Sequence, residues 1–403
     1  MKEYVAKHAV NIRTIDPNDT TFDDLRTIGD AIGDSQIVML GEQGHGDGST
    51  YLAKTRIIKY LHEHKGFNVL AFECDFFALN KGWDNLKKDK SFIDPFITRN
   101  IYLPWSICSD CSDLFYNYIP STAQSSHPIV LTGFDCHLQE RYSLDNLVNM
   151  LDSMFKNEDL SIVHQKNYLS DLQLIKSSFA WWQNQPDDVK PVERYLTLMD
   201  TIKNMLGSKH LPENNIWPVV IDNLIEQGND FKDGFLLGRQ VVNKRDLQMA
   251  LNLAWLTETK FKGQKIIVWS ANSHIARSLR QIEDTLFKSA RPMTEVFNGL
   301  VKKKIYVMGF TSYKGTAQRI FRQPYSFEQK NNDNLESWIN INKFNYAFLD
   351  FEKYNSTISG QQQNFSMATL GHISVAAPWN KMFDGIFYLY DMEPCVVMQR
   401  ASE

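Results

Sequence analysis

Residues 37–46 read Ile37-Val38-Met39-Leu40-Gly41-Glu42-Gln43-Gly44-His45-Gly46 and give the clearest indication of the fold. Four apolar residues are followed by a turn rich in glycine that carries a glutamate and a histidine, and residues 51–64 then form an amphipathic stretch. A short apolar run bounded by polar residues is typical of a buried strand, whereas the amphipathic stretch is typical of a helix. The sequence therefore predicts a strand, a tight turn and a helix in this order.

The same kind of apolar run recurs along the chain, at residues 69–72, 129–132, 266–269, 305–308 and 383–390. A further amphipathic stretch covers residues 76–88, and helical periodicity dominates from about residue 144 to residue 256. Alternating strands and helices predict an α/β fold with a central, mostly parallel sheet flanked by helices. Because strand-like runs resume after residue 256, we expect a single domain over residues 1–403, with residues 144–256 as a helical insertion that caps the active-site cleft.

Composition narrows the class of partner. The 403 residues include 43 Lys and Arg against 47 Asp and Glu, a formal charge of −4, so the chain has no overall positive field to hold nucleic acid or an anionic membrane. No window approaches a membrane-spanning length of apolar residues, and the first residues lack the apolar core of a signal peptide. We expect a cytoplasmic protein with a small-molecule substrate; the sequence does not define its oligomeric state.

The five cysteines form a sparse and odd-numbered set, which predicts free thiols in a reducing compartment. Cys108 and Cys111 have CxxC spacing, but no second pair follows at the distance found in zinc ribbons. We therefore expect neither a disulfide framework nor a metal or redox site at this pair.

Polar residues with catalytic potential recur where the predicted strands end. The carboxyl ends of parallel strands lie on one edge of a sheet, and open α/β sheets bind ligands there. We therefore expect the following side chains to share one cleft: Glu42, His45, Glu73, Asp135, Asn272 and His274.

Residue chemistry suggests a role for each member of this group. Histidine as a residue type commonly exchanges a proton near neutral pH, so His45 is a candidate general base, with Glu42 to set its tautomer. Glu73 closes an apolar run and suits proton relay or the orientation of a histidine, while Asp75 is the better cap for the helix that follows. His274 is a candidate acid–base group or donor to a substrate oxygen, and Arg245, on a predicted helix, is a candidate to stabilise an oxyanion.

In their order along the chain, these motifs resemble the erythromycin esterase family over roughly residues 30 to 395. The resemblance is carried by Gly41-Glu42-x-x-His45-Gly46, Arg56 on the next helix, Gly66-Phe67 leading to Phe72-Glu73, Gly133-Phe134-Asp135, Arg245-Asp246-x-x-Met249-Ala250-x-Asn252, Trp269 with Asn272-x-His274, and Phe383-Asp384-Gly385.

The resemblance implies an esterase that opens a macrolide lactone by direct water attack, without a metal, another cofactor or a covalent intermediate. His45 would then activate water, with Glu42, Glu73 and His274 around it and Arg245 on the substrate or the oxyanion. Arg56, Lys54, Asp135 and Asn272 are candidates to bind the substrate.

Two departures from the family pattern bear on the substrate. Members that act on macrolides tend to carry a glutamate followed by aromatic residues after the His-Gly, where this chain has Asp47-Gly48-Ser49-Thr50-Tyr51, and an arginine where Lys54 stands here. The sequence therefore predicts hydrolysis of an ester or lactone, with macrolides as one candidate class.

Two other functions fit the same residues. Two histidines and two glutamates at strand ends also suit a metal-dependent hydrolase, which a chelator would inactivate. A binder that sequesters an apolar ligand under the helical cap is the third reading, for which the aromatic residues Phe179, Trp181 and Trp182 could line a pocket or form core.

Overall fold

A computed structural model describes residues 1–181, 183–237, 242–282, 287–319, 322–357 and 363–398. The strands in this part of the chain are β1 Val10–Ile12, β2 Ile37–Leu40, β3 Phe67–Asp75, β4 Val130–Asp135, β5 Lys265–Trp269, β6 Ile305–Ala317, β7 Tyr325–Glu328, β8 Tyr346–Asp350, β9 Phe365–Leu370, β10 Ile373–Ala377 and β11 Gly385–Met392.

Helices lie between most of these strands. They are α1 Lys2–His8, α2 Arg26–Ile32, α3 Gly48–Lys65, α4 Trp83–Asn85, α5 Lys90–Asn100, α6 Leu103–Ser106, α7 Ser109–Ser112, α8 Ile119–Thr122, α9 Arg141–Asn157, α10 Tyr168–Ser178, α11 Lys190–Gly207, α12 Trp217–Leu237, α13 Val242–Trp255, α14 Asn272–Ile275, α15 Met293–Leu300, α16 Leu335–Asn340, α17 Phe351–Thr357 and α18 Trp379–Met382. Short 3₁₀ segments occupy Asp23–Leu25 and Ser161–His164, and π-helical segments occupy Ala78–Gly82, Asp113–Tyr118 and Leu256–Lys260.

The main sheet has the strand order β1-β8-β11-β6-β2-β5-β3-β4 within the described residues, and β7 pairs with β6. The pairs from β11 to β4 are all parallel. The pairs β8–β11, β1–β8 and β6–β7 are antiparallel, and β9 and β10 form a separate hairpin. The predicted α/β class with a mostly parallel sheet is therefore confirmed.

The strand β2 lies in the interior of this sheet, and the burial of its side chains explains its unbroken apolar sequence. All four residues are buried: Ile37 and Met39 belong to the core on one face of the sheet, Val38 and Leu40 to the core on the other. A strand covered on both faces reads as a continuous apolar run. At the rate of about 1.5–3 kcal/mol for each buried Val, Leu, Ile or Met, these side chains contribute strongly to the stability of the sheet.

Residues 144–256 are largely helical, as predicted, and comprise most of α9 together with α10 to α13. Helix α13 packs against the edge strand β4, where the side-chain amide of Asn252 donates to the carbonyl oxygen of Phe134 at 2.9 Å. This contact brings the start of α13, with Arg245, to the carboxyl edge of the sheet. The assignment of the whole chain to one domain stays a prediction, which limited proteolysis would test.

The cysteines depart from expectation. Cys108 and Cys395 form a disulfide across 287 residues, so the prediction of five free thiols is wrong for these two. Cys111, the other half of the CxxC pair, is a free and buried thiol, as are Cys74 and Cys136. The long separation places the partner of Cys108 beyond the reach of any local sequence pattern.

No helix in the described part of the chain combines the length and the apolar character needed to cross a bilayer.

Candidate active site

The carboxyl ends of β2, β3, β4 and β5 meet at a cleft of about 500 Å³, which lies where the strand-end argument expects it. Its lining is predominantly charged or polar and comprises His45, Glu73, Cys74, Asp75, Tyr102, Asp135, His137, Gln139, Glu140, Arg245, His274 and Arg319.

His45 lies on the glycine-rich turn between β2 and α3. The turn needs its glycines: Gly46 has a φ of +129°, and a Cβ atom there would lie 1.8 Å from the carbonyl oxygen of Gln318. A Cβ atom on Gly41 would lie 1.9 Å from Oδ1 of Asn272. The turn therefore packs too closely for larger residues, and this packing fixes the position of His45.

Glu42 orients the ring of His45. The Nδ1 atom of His45 lies 2.7 Å from Oε1 of Glu42, which is fully buried. The carboxylate also accepts from Nζ of Lys54 at 2.6 Å and from Nε1 of Trp105 at 3.2 Å. Because Glu42 can only accept, the hydrogen of the neutral ring resides on Nδ1, and Nε2 keeps its lone pair.

A second cluster centres on Arg245. Its Nε and Nη2 atoms donate to the two oxygens of Asp135 at 3.1 and 2.5 Å, and Nη2 also donates to Oε1 of Glu73 at 3.0 Å. The other oxygen of Glu73 accepts from Oγ of Ser270 at 2.7 Å and from the backbone N–H of Ala271 at 3.0 Å. The guanidinium is thus held rigidly between two carboxylates.

His274 adds a second cation to this cluster. Its Nδ1 lies 2.7 Å from Oδ1 of Asp246, and its Nε2 lies 3.2 Å from Oε1 of Glu73. Burial acts to lower the pKa of His274, but Asp246 and Glu73 outweigh it and raise the pKa to about 10. His274 is therefore an imidazolium at neutral pH.

Glu73 is the matching anion. Burial acts to raise its pKa, but His274 and Arg245 together hold the pKa of this carboxyl well below its usual range. Asp75 instead caps the segment that follows β3, where it accepts from the N–H of Ala78 at 2.8 Å, as the sequence suggested. Glu73 thus serves the charge cluster and not the helix end.

One edge of Arg245 remains available to a ligand. Its Nη1 lies 3.4 Å from Nε2 of His274, but an imidazolium has no lone pair with which to accept. Among the described residues no other acceptor bonds Nη1, so its hydrogens can point into the cleft. Donors of this kind, fixed before the substrate arrives, stabilise negative charge that develops on a substrate oxygen.

The charge state of His274 predicts a pH dependence of stability. Its folded-state pKa of about 10 lies above the unfolded value of 6.5, so its contribution to stability is complete below pH 6.5 and is lost as the pH rises through about 10. We expect His274→Gln to lower the free energy of unfolding most at pH 6 and progressively less toward pH 10, as measured by urea denaturation. The same change at the exposed His164 is the control; a loss at His274 that does not depend on pH would contradict the assignment.

Several residues of the site were given no role from the sequence, although one of them, His137, belongs to the polar run at the end of a predicted strand. His137 lines the cleft, and its Nε2 lies 2.6 Å from Oδ2 of Asp230 on α12, so the helical insertion contributes directly to the site. Burial raises the pKa of Glu140 to about 8, with Asp75 acting in the same direction. The signal for His137 was present, because it stands two residues after the strand-end Asp135.

Besides Glu42, which is fully buried behind His45, three predicted site residues do not line the cleft. Asn272 is buried and bonds backbone groups: its amide nitrogen donates to the carbonyls of Phe310 and Thr369, and its oxygen accepts from the N–H of Phe310. Lys54 is fully buried behind Glu42, with Nζ 4.3 Å from the ring centre of Trp269. Both residues support the site from beneath it and do not contact the substrate space.

Arg56 is the third of these residues, and it lies away from the cleft, so the prediction that it contacts the substrate is wrong. Its guanidinium is buried on α3, where Nη1 and Nη2 donate to the carboxylate of Asp24 at 2.9 and 2.7 Å. Further bonds go to the backbone carbonyls of Thr14, Asp19 and Thr21. These partners occupy every edge of the guanidinium.

The position of Arg56 predicts a large effect on stability. We expect Arg56→Ala to lower the free energy of unfolding by about 3 kcal/mol, because it removes a buried guanidinium that bonds Asp24 and three backbone carbonyls and leaves Asp24 with the more exposed Arg13 as its partner. Arg26→Ala is the matched control, since its pair with Asp23 is exposed to solvent and should contribute less than about 1 kcal/mol. Urea denaturation measures both; equal effects would show that the Arg56 pair is not a buried anchor.

The aromatic residues of the insertion form core in the part that the structure describes. Trp181 is buried and packs against Tyr195 and Phe231, with ring centres 5.4 and 5.3 Å apart, and Phe179 packs on the same core. Trp182 lies outside the described residues. Neither Trp181 nor Phe179 lines the cleft.

The fold and the cleft place the chain among α/β proteins that act at the carboxyl edge of a parallel sheet. The family model described as Erythromycin esterase matches residues 62–391, and the chain belongs to this family. The matched range includes Glu73, Asp135, Arg245 and His274 and begins after the turn that carries His45.

Relatives and a solved structure agree with this assignment. YbfO of Bacillus subtilis (strain 168), named as a hydrolase, is 24% identical over 98% of this chain and 92% of its own length. Erythromycin esterase type II of Escherichia coli is 20% identical over 96% of this chain and 97% of its own length.

Among solved structures, a mutant of the erythromycin esterase EreC in its open conformation has a TM-score of 0.70 and 16% identity, and the match covers 96% of this chain and 98% of that one. At this identity the structural match shows the fold alone. The family and the two relatives support a hydrolase activity of the esterase kind.

Proposed function

We propose that this protein hydrolyses a carboxylic ester or lactone of a small-molecule substrate by direct attack of a water molecule that His45 activates. The observation that carries the proposal is the 2.7 Å contact between Nδ1 of His45 and Glu42, which leaves Nε2 as the base. The buried carboxylate also stabilises the imidazolium that forms when His45 takes a proton from water.

The steps use residues of one cleft. Water attacks the carbonyl carbon of the ester while Nε2 of His45 removes its proton, and the carbonyl oxygen becomes an oxyanion within reach of Nη1 of Arg245. The bond to the leaving oxygen then breaks, and the imidazolium of His45 returns its proton to that oxygen. His274 keeps its proton throughout and fixes Glu73, which in turn holds Arg245.

Two observations favour water over a covalent nucleophile. Cys74 lines the cleft, but burial raises the pKa of its thiol well above the usual range, so the reactive thiolate does not form near neutral pH. Ser270 is fully buried and donates to Glu73. Neither group is available to attack a carbonyl carbon.

Metal independence is part of the proposal. The guanidinium of Arg245 already bonds Glu73 and Asp135, which are two of the oxygen ligands that a divalent ion at this edge would need, and His274 also pairs with Glu73. Within the described residues, the one group of three metal-type ligand atoms that lie close together is Cys108, Asp110 and Cys395, away from the cleft lining.

A cytoplasmic location stays a prediction from the sequence.

The test is to incubate the protein with a panel of simple esters, lactones and macrolides and to follow each compound by mass spectrometry. We expect at least one compound to gain a single water, and the identity of that compound defines the substrate class. Tight binding of a compound without turnover would instead favour a binding protein.

A further inference from the structure

The C-terminal tail, residues 393–398, lies directly on the turn that carries His45. The backbone N–H of Cys395 donates to the carbonyl oxygen of Gly46 at 2.7 Å, and Pro394 forms an isolated β-bridge with Asp47. Ser49, at the start of α3, donates through its N–H to the carbonyl oxygen of Glu393 at 3.3 Å and accepts from the N–H of Glu393 through Oγ at 2.9 Å. The tail therefore holds the turn from Gly46 to Ser49.

The other side of the tail binds the segment between α6 and α7. Ser109 donates through its N–H to the carbonyl oxygen of Val396 at 2.8 Å, and Met398 donates to the carbonyl oxygen of Ile107 at 2.8 Å. The same segment provides Cys108, the disulfide partner of Cys395. Val396 also donates through its N–H to Oδ2 of Asp110 at 3.3 Å. The tail is thus fixed to residues 107–110 by three hydrogen bonds and a covalent bond.

Tyr102 and Trp105, at and within α6, also contact His45. Trp105 of α6 donates to Oε1 of Glu42 at 3.2 Å, and the rings of Trp105 and Tyr102 lie 5.6 and 5.4 Å from the ring of His45. The tail therefore joins the turn that carries His45 to the α6 region, against which His45 and Glu42 are packed. A shift of the tail would change the position of this turn relative to α6.

We propose that the Cys108–Cys395 disulfide is a reversible redox switch that positions His45. In the oxidised form the tail holds the turn that carries His45 against α6, which carries Trp105. In the reduced form the tail separates from the turn and turnover falls. The effect on turnover rests on the proposed function, whereas the release of the tail does not.

The chemistry is thiol–disulfide exchange with a dithiol reductant. A thiolate of the reductant attacks Sγ of Cys395, which is 8% exposed where Cys108 is 0% exposed, and the bond between the two cysteines breaks. Cys108 leaves and takes up a proton, and the thiol so formed lies within 3.5 Å of Oδ2 of Asp110. The second thiol of the reductant then displaces Cys395, and the reductant becomes a cyclic disulfide that has given up two electrons.

The remaining cysteines do not compete for this role. Cys74, Cys111 and Cys136 are buried, and burial raises the pKa of each thiol well above its usual range. The tail, in contrast, exposes Val396 and Val397 to solvent, and these two residues directly follow Cys395. Exchange at Cys395 needs only a local opening of this segment.

The test compares the air-oxidised protein with the same protein reduced by dithiothreitol. Alkylation after denaturation, read by intact mass, should count three thiols in the oxidised protein and five in the reduced protein. Hydrogen exchange at the amides of Ser49 and Cys395 should become at least about tenfold faster on reduction. The kcat for ester hydrolysis should fall about 10- to 100-fold, and oxidised glutathione should restore it.

Two variants separate the switch from general damage. Cys395→Ser should behave as the reduced form under both conditions, whereas Cys111→Ala, a control three residues from Cys108 on α7, should retain the response to dithiothreitol. Five thiols before reduction, or a reduced protein with unchanged exchange and turnover, would overturn the proposal. Faster exchange on reduction in a protein that hydrolyses no ester would support the release of the tail and overturn the proposed function instead.

Discussion

His45→Asn is expected to lower the kcat of ester hydrolysis by about 10³- to 10⁴-fold while leaving KM within a few-fold of its value. Asparagine can still donate to Glu42 in place of Nδ1, but it has no lone pair of suitable basicity to take a proton from water. The fold should be unaffected, because the side chain lies at the cleft and not in the core.

Steady-state kinetics on the substrate found in the panel measure this effect, together with a thermal melt that reports on folding. His62→Ala on α3 is the control: its ring bonds the hydroxyl of Tyr118 and the carbonyl of His127, and it does not line the cleft. Turnover by His45→Asn near that of the unmodified protein would show that another group activates water.

Arg245→Lys is expected to lower kcat by about 10²- to 10³-fold. Lysine keeps the positive charge, but its single ammonium group cannot replace the two bonds to Asp135 and the bond to Glu73. It therefore has no further N–H fixed in position for the substrate oxygen. The loss should therefore appear in kcat, where the oxyanion is stabilised, more than in KM.

The neighbouring residue provides a close control for this change. Lys244 precedes Arg245 on α13, is half exposed and pairs with Asp233 at 2.7 Å, away from the cleft lining. Lys244→Ala should retain full turnover. An Arg245→Lys protein with normal kcat would mean that the guanidinium does not contact the reacting oxygen.

How much of the fold the sequence reveals depends on where each strand lies in the sheet. The strand β2, buried on both faces, has the predicted bounds, and β5 begins one residue earlier than predicted. The strand β6 was predicted only to Met308 but continues to Ala317. The prediction stopped early because glycine and polar residues interrupt the apolar run after Met308, and residues 313–316 are partly exposed. The short strand β1 at the sheet margin and the hairpin of β9 and β10 have mixed burial and were not predicted.

The site shows the same limit. Residues at the ends of neighbouring parallel strands, such as Glu73, Asp135 and His274, line one cleft because strand ends share one edge of the sheet. Their catalytic roles stay predictions. Which way a helical side chain points is set by packing, so Arg56 was misplaced and Asp230, which holds His137 from the insertion, was missed.

Activation of water by His45 without a metal is tested by the kcat/KM of chelator-treated, metal-analysed protein for its ester substrate, with and without added divalent ions, beside His45→Asn. We expect the chelated protein to retain full activity, added ions to change it little, and His45→Asn to stay inactive in both conditions. Activity that vanishes on chelation and returns with a particular ion would instead assign the activation of water to a metal.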